Sequence, residues 1–179
     1  MKYLKIIILI VVLIIGAVVV YMSMSPPKSP LDSASFKNEL HDLEVVYSRP
    51  YKKGRLIFGD AENEALVPFG KYWRTGANAA TTFMTSSDIT FGEKEISAGK
   101  YRLYSIPGPK SWSIFLNTEP DKYFAIMEPD KTKDLIELVV NSFSTDDLTE
   151  QFTIDFANDS TGVSLNLKWD TTLISIPIK

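Results

Sequence analysis

The sequence predicts an all-β domain, a β-sandwich of jelly-roll-like or immunoglobulin-like type, preceded by one N-terminal transmembrane helix. Three observations predict it. Residues Ile6 to Met24 run for nineteen positions without a charge. Beyond them no long stretch repeats with a helical period. In its place stand nine or ten short, alternating apolar segments separated by closely spaced turn residues.

The uncharged segment lies between Lys5 and Lys28, and Ile6 to Val20 are apolar throughout, counting Gly16. As a helix, nineteen residues cover about 28 Å at ~1.5 Å per residue, close to a hydrocarbon core of ~30 Å. Lys2 and Lys5 also suit the positive start of a signal peptide, and Ser23-Met24-Ser25 is a weak small-x-small cleavage site. A signal core is shorter, roughly 7–15 residues, and Pro26 directly after the bond disfavours cleavage. A retained anchor is therefore expected over residues 1–25, with residues 6–24 in the membrane. Lysine bias sets its direction weakly, because Lys2 and Lys5 precede the segment and Lys28 and Lys37 follow it.

Pro26, Pro27 and Pro30 make residues 26–30 a short, stiff linker. The β domain is expected over residues 31–179. Its one helical candidate is Asp32 to Leu40, with Asp32 or Ser33 as cap. Strands are expected at Leu43–Tyr47, Thr81–Thr85, Asp88–Phe91 and Lys94–Ile96. Tyr101–Ile106 and Trp112–Asn117, divided by Pro107-Gly108-Pro109, read as a hairpin. Four further strands are expected at Leu135–Val140, Phe152–Phe156, Val163–Trp169 and Leu173–Ile178, with a polar turn at 158–162.

Composition excludes several function classes. The chain has no cysteine, hence no disulfide framework, thiolate metal site or cysteine nucleophile. Without Lys2 and Lys5 the remainder holds 17 basic and 22 acidic residues, a net charge near −5. Such a domain is a poor partner for nucleic acid. His41 is the single histidine, so a multi-histidine metal site is excluded and any Ser-His-Asp triad must use it. No metal or other cofactor is expected. Asp60, Glu62 and Glu64 read as a solvated loop, and Asp155, Asn158, Asp159 and Ser160 as an ordinary polar turn.

One stretch is less generic. Tyr47-Ser48-Arg49-Pro50 is followed by Lys53-Gly54-Arg55-Leu56-Ile57-Phe58-Gly59, by Val67-Pro68-Phe69-Gly70-Lys71-Tyr72-Trp73-Arg74-Thr75-Gly76-Ala77-Asn78, and by Ala98-Gly99-Lys100-Tyr101. This series resembles the DUF2911 family, exported proteins found mainly in Bacteroidetes, and the resemblance runs from about residue 29 to the end. It implies an exported, mostly β domain without an established biochemical role. With the anchor, it implies a single-pass protein whose C-terminal domain faces the periplasm or the cell surface. Members often carry an acid just before the tyrosine of Y-S-R-P and another just after G-A-N, where this sequence has Val46 and Ala79.

The side chains in this stretch suit recognition. Arginine presents a planar fork of donors to carboxylates, phosphates and carbonyls. Arg49, Arg55 and Arg74, the flat faces of Tyr47 and Trp73, and the neutral hydrogen-bonding groups of Thr75 and Asn78 form the candidate ligand site. A glycan, a small anion or another envelope protein is the expected partner. Two alternatives stand beside it: a hydrolase acting on an envelope polymer through an unidentified carboxylate, and a structural domain whose arginines only satisfy loop carbonyls.

Overall fold

The computed structural model describes residues 2–24, 27–121, 125, 127–160 and 162–179. Among the described residues one α-helix, α1, spans Lys2–Met24. Its side chains from Ile6 to Tyr21 are exposed on all faces. Among the described residues no helix is long and apolar enough to cross a membrane. Ser25 and Pro26, on which the argument about cleavage turned, lie outside the described residues.

The rest is β. The strands are β1 (Leu31–Lys37), β2 (Asp42–Ser48), β3 (Phe58–Gly59), β4 (Val67–Pro68), β5 (Thr81–Thr85), β6 (Ile89–Phe91), β7 (Lys94–Ile96), β8 (Gly99–Ile106), β9 (Ser111–Asn117), β10 (Asp134–Asp159) and β11 (Gly162–Ile178). Nine form one antiparallel sheet in the order β1-β2-β5-β8-β9-β10-β11-β6-β7, and β3 and β4 form a small parallel pair. The predicted hairpin is present, with Leu103 opposite Leu116 and Ser105 opposite Ile114.

The sheet folds over itself at β10, which gives the domain its sandwich-like form. Residues 134–141 of β10 pair with β9, whereas residues 142–159 pair with β11. Rings then meet across the fold: Tyr47 of β2 lies 5.6 Å from Phe152 of β10, and Phe83 of β5 lies 5.1 Å from Phe91 of β6. Leu43, Val45, Leu103, Ile114, Leu116, Leu165, Leu167, Ile174 and Ile176 fill the space between. Burying such side chains is the main term holding the fold, at roughly 1.5–3 kcal/mol each.

Two expectations are corrected. Asp32 to Leu40 is not helical. Its first six residues lie within β1, paired along its whole length with β2, and Asp32, Ala34 and Phe36 turn inward while their neighbours face water. That alternation, satisfied by a partner strand, outweighs a weak helix cap. The last four predicted strands are two. The polar stretch 144–153 stays within the ladder through register shifts between Ser144 and Thr149 and between Thr149 and Thr153. Opposite it, Asp170 takes a left-handed φ of 57°, so the ladder bends instead of ending.

Candidate functional site

The recognisable stretch forms a long loop between β2 and β5, laid over one end of the sandwich. Phe58 pins it, with its ring 5.6 Å from Trp73, 4.8 Å from Trp112 and 6.0 Å from Trp169. Trp73 stacks on Trp169 at 5.8 Å and 20°, lies 5.0 Å from Phe152, and donates its indole N–H to the Gly76 carbonyl at 3.1 Å. All three tryptophans of the chain thus sit in one aromatic cluster. Edge-on and offset pairs of this kind add about 0.5–1.5 kcal/mol each beyond area burial.

The seven candidate residues separate into two groups. Four are framework. Tyr47 is 2% exposed, and its hydroxyl accepts from the Ile154 N–H at 2.8 Å and donates to the Ile154 carbonyl at 3.2 Å. Burial pushes the Tyr47 hydroxyl above its ordinary pKa. Arg49 donates to the Phe152 carbonyl at 3.1 Å, the Thr153 hydroxyl at 2.9 Å and the Asp32 carboxylate at 2.9 Å. Thr75 is fully buried and hydrogen-bonds the Ser105 hydroxyl at 2.9 Å. Trp73, only 7% exposed, has its faces covered by other rings. No sugar can stack on it without displacing them.

The other three, Arg55, Arg74 and Asn78, line an open cavity of about 640 Å³ at the loop's outer side, whose wall Trp73 also borders. Arg55 is held by the carbonyls of Lys52, at 2.9 Å from Nε, and of Tyr51. Arg74 donates from Nη1 to the Asn78 carbonyl at 3.1 Å. Each guanidinium is therefore anchored through part of its fork, and its other N–H groups make no hydrogen bond to protein among the described residues. Asn78 donates to the Ser29 carbonyl at 3.3 Å, which ties the linker to the loop.

Sequence reasoning missed the rest of the lining, chiefly Lys28, Tyr51, Lys53, Leu66 and Trp169. Lys53 lies inside the recognisable stretch and its charge was readable there. Lys28 and Trp169 arrive from far along the chain, and nothing local announces them. Among the described residues the lining holds four cations, Lys28, Lys53, Arg55 and Arg74, with no carboxylate and no histidine. Gly76 closes the inner wall at φ +150°, where an added Cβ would stand 3.0 Å from the Ser48 carbonyl oxygen and 3.1 Å from the Thr81 hydroxyl.

The remaining candidates lie elsewhere. His41 ends the β1–β2 turn, where its N–H donates to the Asn38 side chain at 2.7 Å. The length of β2 separates it from Ser48, about 23 Å at ~3.3 Å per residue. Glu62 and its neighbours occupy an exposed 3₁₀ turn at Ala61–Asn63. Asp155 is occupied by Asn166 and Lys168, at 3.2 and 2.7 Å. A second polar cluster gathers on the other side of the loop. Buried Arg102 donates to the Tyr72 hydroxyl and to the Met127 carbonyl at 3.2 Å, while Tyr104 donates to Asp134 at 2.6 Å.

Residues 29–178 match a family described as "Protein of unknown function (DUF2911)". No curated protein and no solved structure matches the chain.

Proposed function

The chain belongs to the DUF2911 family, and we propose that its β domain is a membrane-tethered module that binds a small anionic ligand. One observation carries the proposal: a domain of net charge near −5 places four cations, and among the described residues no carboxylate, around one open cavity. Cations scattered for solubility alone would be interspersed with acids, as they are elsewhere on this domain. The cavity volume falls in the range of small-molecule sites, about 300–1,000 Å³. The partly anchored forks of Arg55 and Arg74 suit the planar oxygens of a carboxylate or phosphate. A neutral glycan cannot stack on Trp73, whose faces other rings cover, and the hydrolase alternative lacks a carboxylate or histidine in the lining among the described residues.

Tethering is the second half of the proposal. The nineteen uncharged residues from Ile6 to Met24 lie in one continuous helix. Large apolar side chains such as Ile7, Leu9, Leu13 and Val19 are all more than half exposed. A helix apolar on every face needs an apolar surrounding, and this one finds none in its own domain. Tethering rests on the sequence, whose nineteen uncharged positions are enough for a bilayer. The domain on the far side is proposed to be exported.

A thermal-shift screen of the full-length chain in neutral detergent tests the binding reading. An organic acid or phosphate ester present at about 100 times its Kd adds ~2.7 kcal/mol of stability. For a domain of this size that is a rise of roughly 5–10 °C in Tm. Stabilisation by neutral sugars but by no anion would overturn it.

A further inference from the structure

The cavity's position on the chain narrows the ligand class further, granted the anion-binding and tethering readings above. Lys28 and Ser29, which line its mouth, are the fourth and fifth residues after Met24, where α1 ends. Four residues reach at most about 14 Å at ~3.3–3.6 Å each, whatever path they take. Asn78 and the Pro30 carbonyl, which accepts from the Arg49 N–H at 2.8 Å, hold this exit against the loop. The cationic cavity therefore opens within one short tether of the helix end. Leu56 and Leu66, exposed by 45% and 42%, stand beside it, and Leu66 itself lines the cavity.

We propose that the cavity takes the phosphate of an anionic lipid headgroup in the same membrane that holds α1. A tether this short presents headgroups at an effective concentration of millimolar order or above, so even a weak phosphate site fills. The same contact orients an otherwise acidic domain, with its cation-lined cavity toward the bilayer. Leu56 and Leu66 then meet the interfacial region, where exposed apolar side chains are least costly.

The test uses the full-length chain in neutral detergent micelles, titrated with phosphatidylglycerol as a mole fraction, with phosphatidylcholine as the uncharged comparison. Trp73 and Trp169 line the cavity, so tryptophan emission reports occupancy. Phosphatidylglycerol is expected to give a saturable change that phosphatidylcholine does not. The R55Q/R74Q double variant should need a half-saturating fraction on the order of 30-fold higher, about five-fold per cation. Should R55Q/R74Q fold poorly, K28Q/K53Q serves instead, because those amines make no hydrogen bond to protein among the described residues; the same direction is expected. K94Q/K110Q, with both lysines exposed and absent from the lining, should respond like the native chain.

A native-like response in the cavity variants would mean general surface attraction and would overturn the inference. If glycerol 3-phosphate or inorganic phosphate gives the change and phosphatidylglycerol adds nothing, the site binds a soluble anion. The lipid assignment then falls while the anion reading stands. No response to lipid or soluble anion overturns both. Release of the chain from vesicles by alkaline carbonate removes the anchor, and with it the lipid assignment, leaving the soluble arm to decide the rest.

Discussion

Replacing Arg49 with methionine separates framework from ligand site most cleanly. Methionine keeps much of the aliphatic volume and removes every donor. The Phe152 carbonyl, on a residue only 1% exposed, loses its Arg49 donor at 3.1 Å; leaving such a group unsatisfied costs about 1–3 kcal/mol. The Thr153 contact at 2.9 Å contributes about 1 kcal/mol. The Asp32 pair, with side chains 26% and 43% exposed, is screened by solvent and adds at most ~1 kcal/mol. The expected loss is about 2–5 kcal/mol, or roughly 4–20 °C in Tm for a domain of this size. Urea unfolding should show a lower midpoint with an unchanged slope, since the compactness of neither state changes. Anion affinity of the folded variant should stay within about two-fold of native, the range expected when no contact to the ligand is lost. Unchanged stability with abolished binding would refute the division of the arginines made here.

Three further outcomes follow from the same geometry. Gly76→Ala should destabilise by roughly 2–4 kcal/mol in chemical denaturation, from strain at φ +150° and the 3.0 Å approach to the Ser48 carbonyl. Trp73→Phe should cost about 2–3 kcal/mol and weaken the near-ultraviolet circular dichroism, because it removes the indole donor to Gly76 and the stack on Trp169. Stability should fall as pH rises above about 10. Burial raises the folded-state pKa values of Tyr47, Tyr72, Tyr101 and Tyr104, with Asp134 adding to the rise at Tyr104. There the unfolded chain gives up protons that the folded chain keeps, so unfolding is favoured progressively through that window. Tyr104→Phe should flatten this alkaline slope in pH-dependent denaturation.

The strands most legible in the sequence were those bounded by turns on both sides. Thr81–Thr85 and Lys94–Ile96 form as read, because alternation and flanking turn residues agree. Asp32 to Leu40 suits a helix start by its short polar residues, and only the pairing of Leu31–Lys37 with β2 decides for a strand. Residues 141–151, left between two expected strands, belong to β10 as well: a polar run normally marks a loop, whereas register shifts keep this one in the ladder. In the site, the charge of Arg55 and Arg74 was readable, but the role of Arg49 was not. Its partners Phe152 and Thr153 lie 103 and 104 residues away. The same distance hid Trp169 as a cavity wall. Local pattern carries the elements; it does not carry contacts made across the fold.

Binding and loop-locking, set out as rival readings of one arginine-rich stretch, are joined by how the guanidinium groups are held. Arg55 gives Nε and one terminal nitrogen to loop carbonyls, and Arg74 gives one. A free arginine loses about 2 kcal/mol of side-chain entropy when fully fixed. Arg55 and Arg74 meet part of that cost during folding, so a ligand meets donors already aimed at it. The loop that holds them is fixed in turn by Arg49, Trp73 and Thr75, through contacts that reach β8 and β10. Damage to the framework residues should therefore lower stability while the affinity of the folded protein stays within about two-fold of native. Damage to Arg55 or Arg74 should lower affinity with the fold intact. A series of variants plotted as affinity against stability would place the two sets on separate lines if the framework and the cavity are distinct, and on one line if the whole stretch is scaffold.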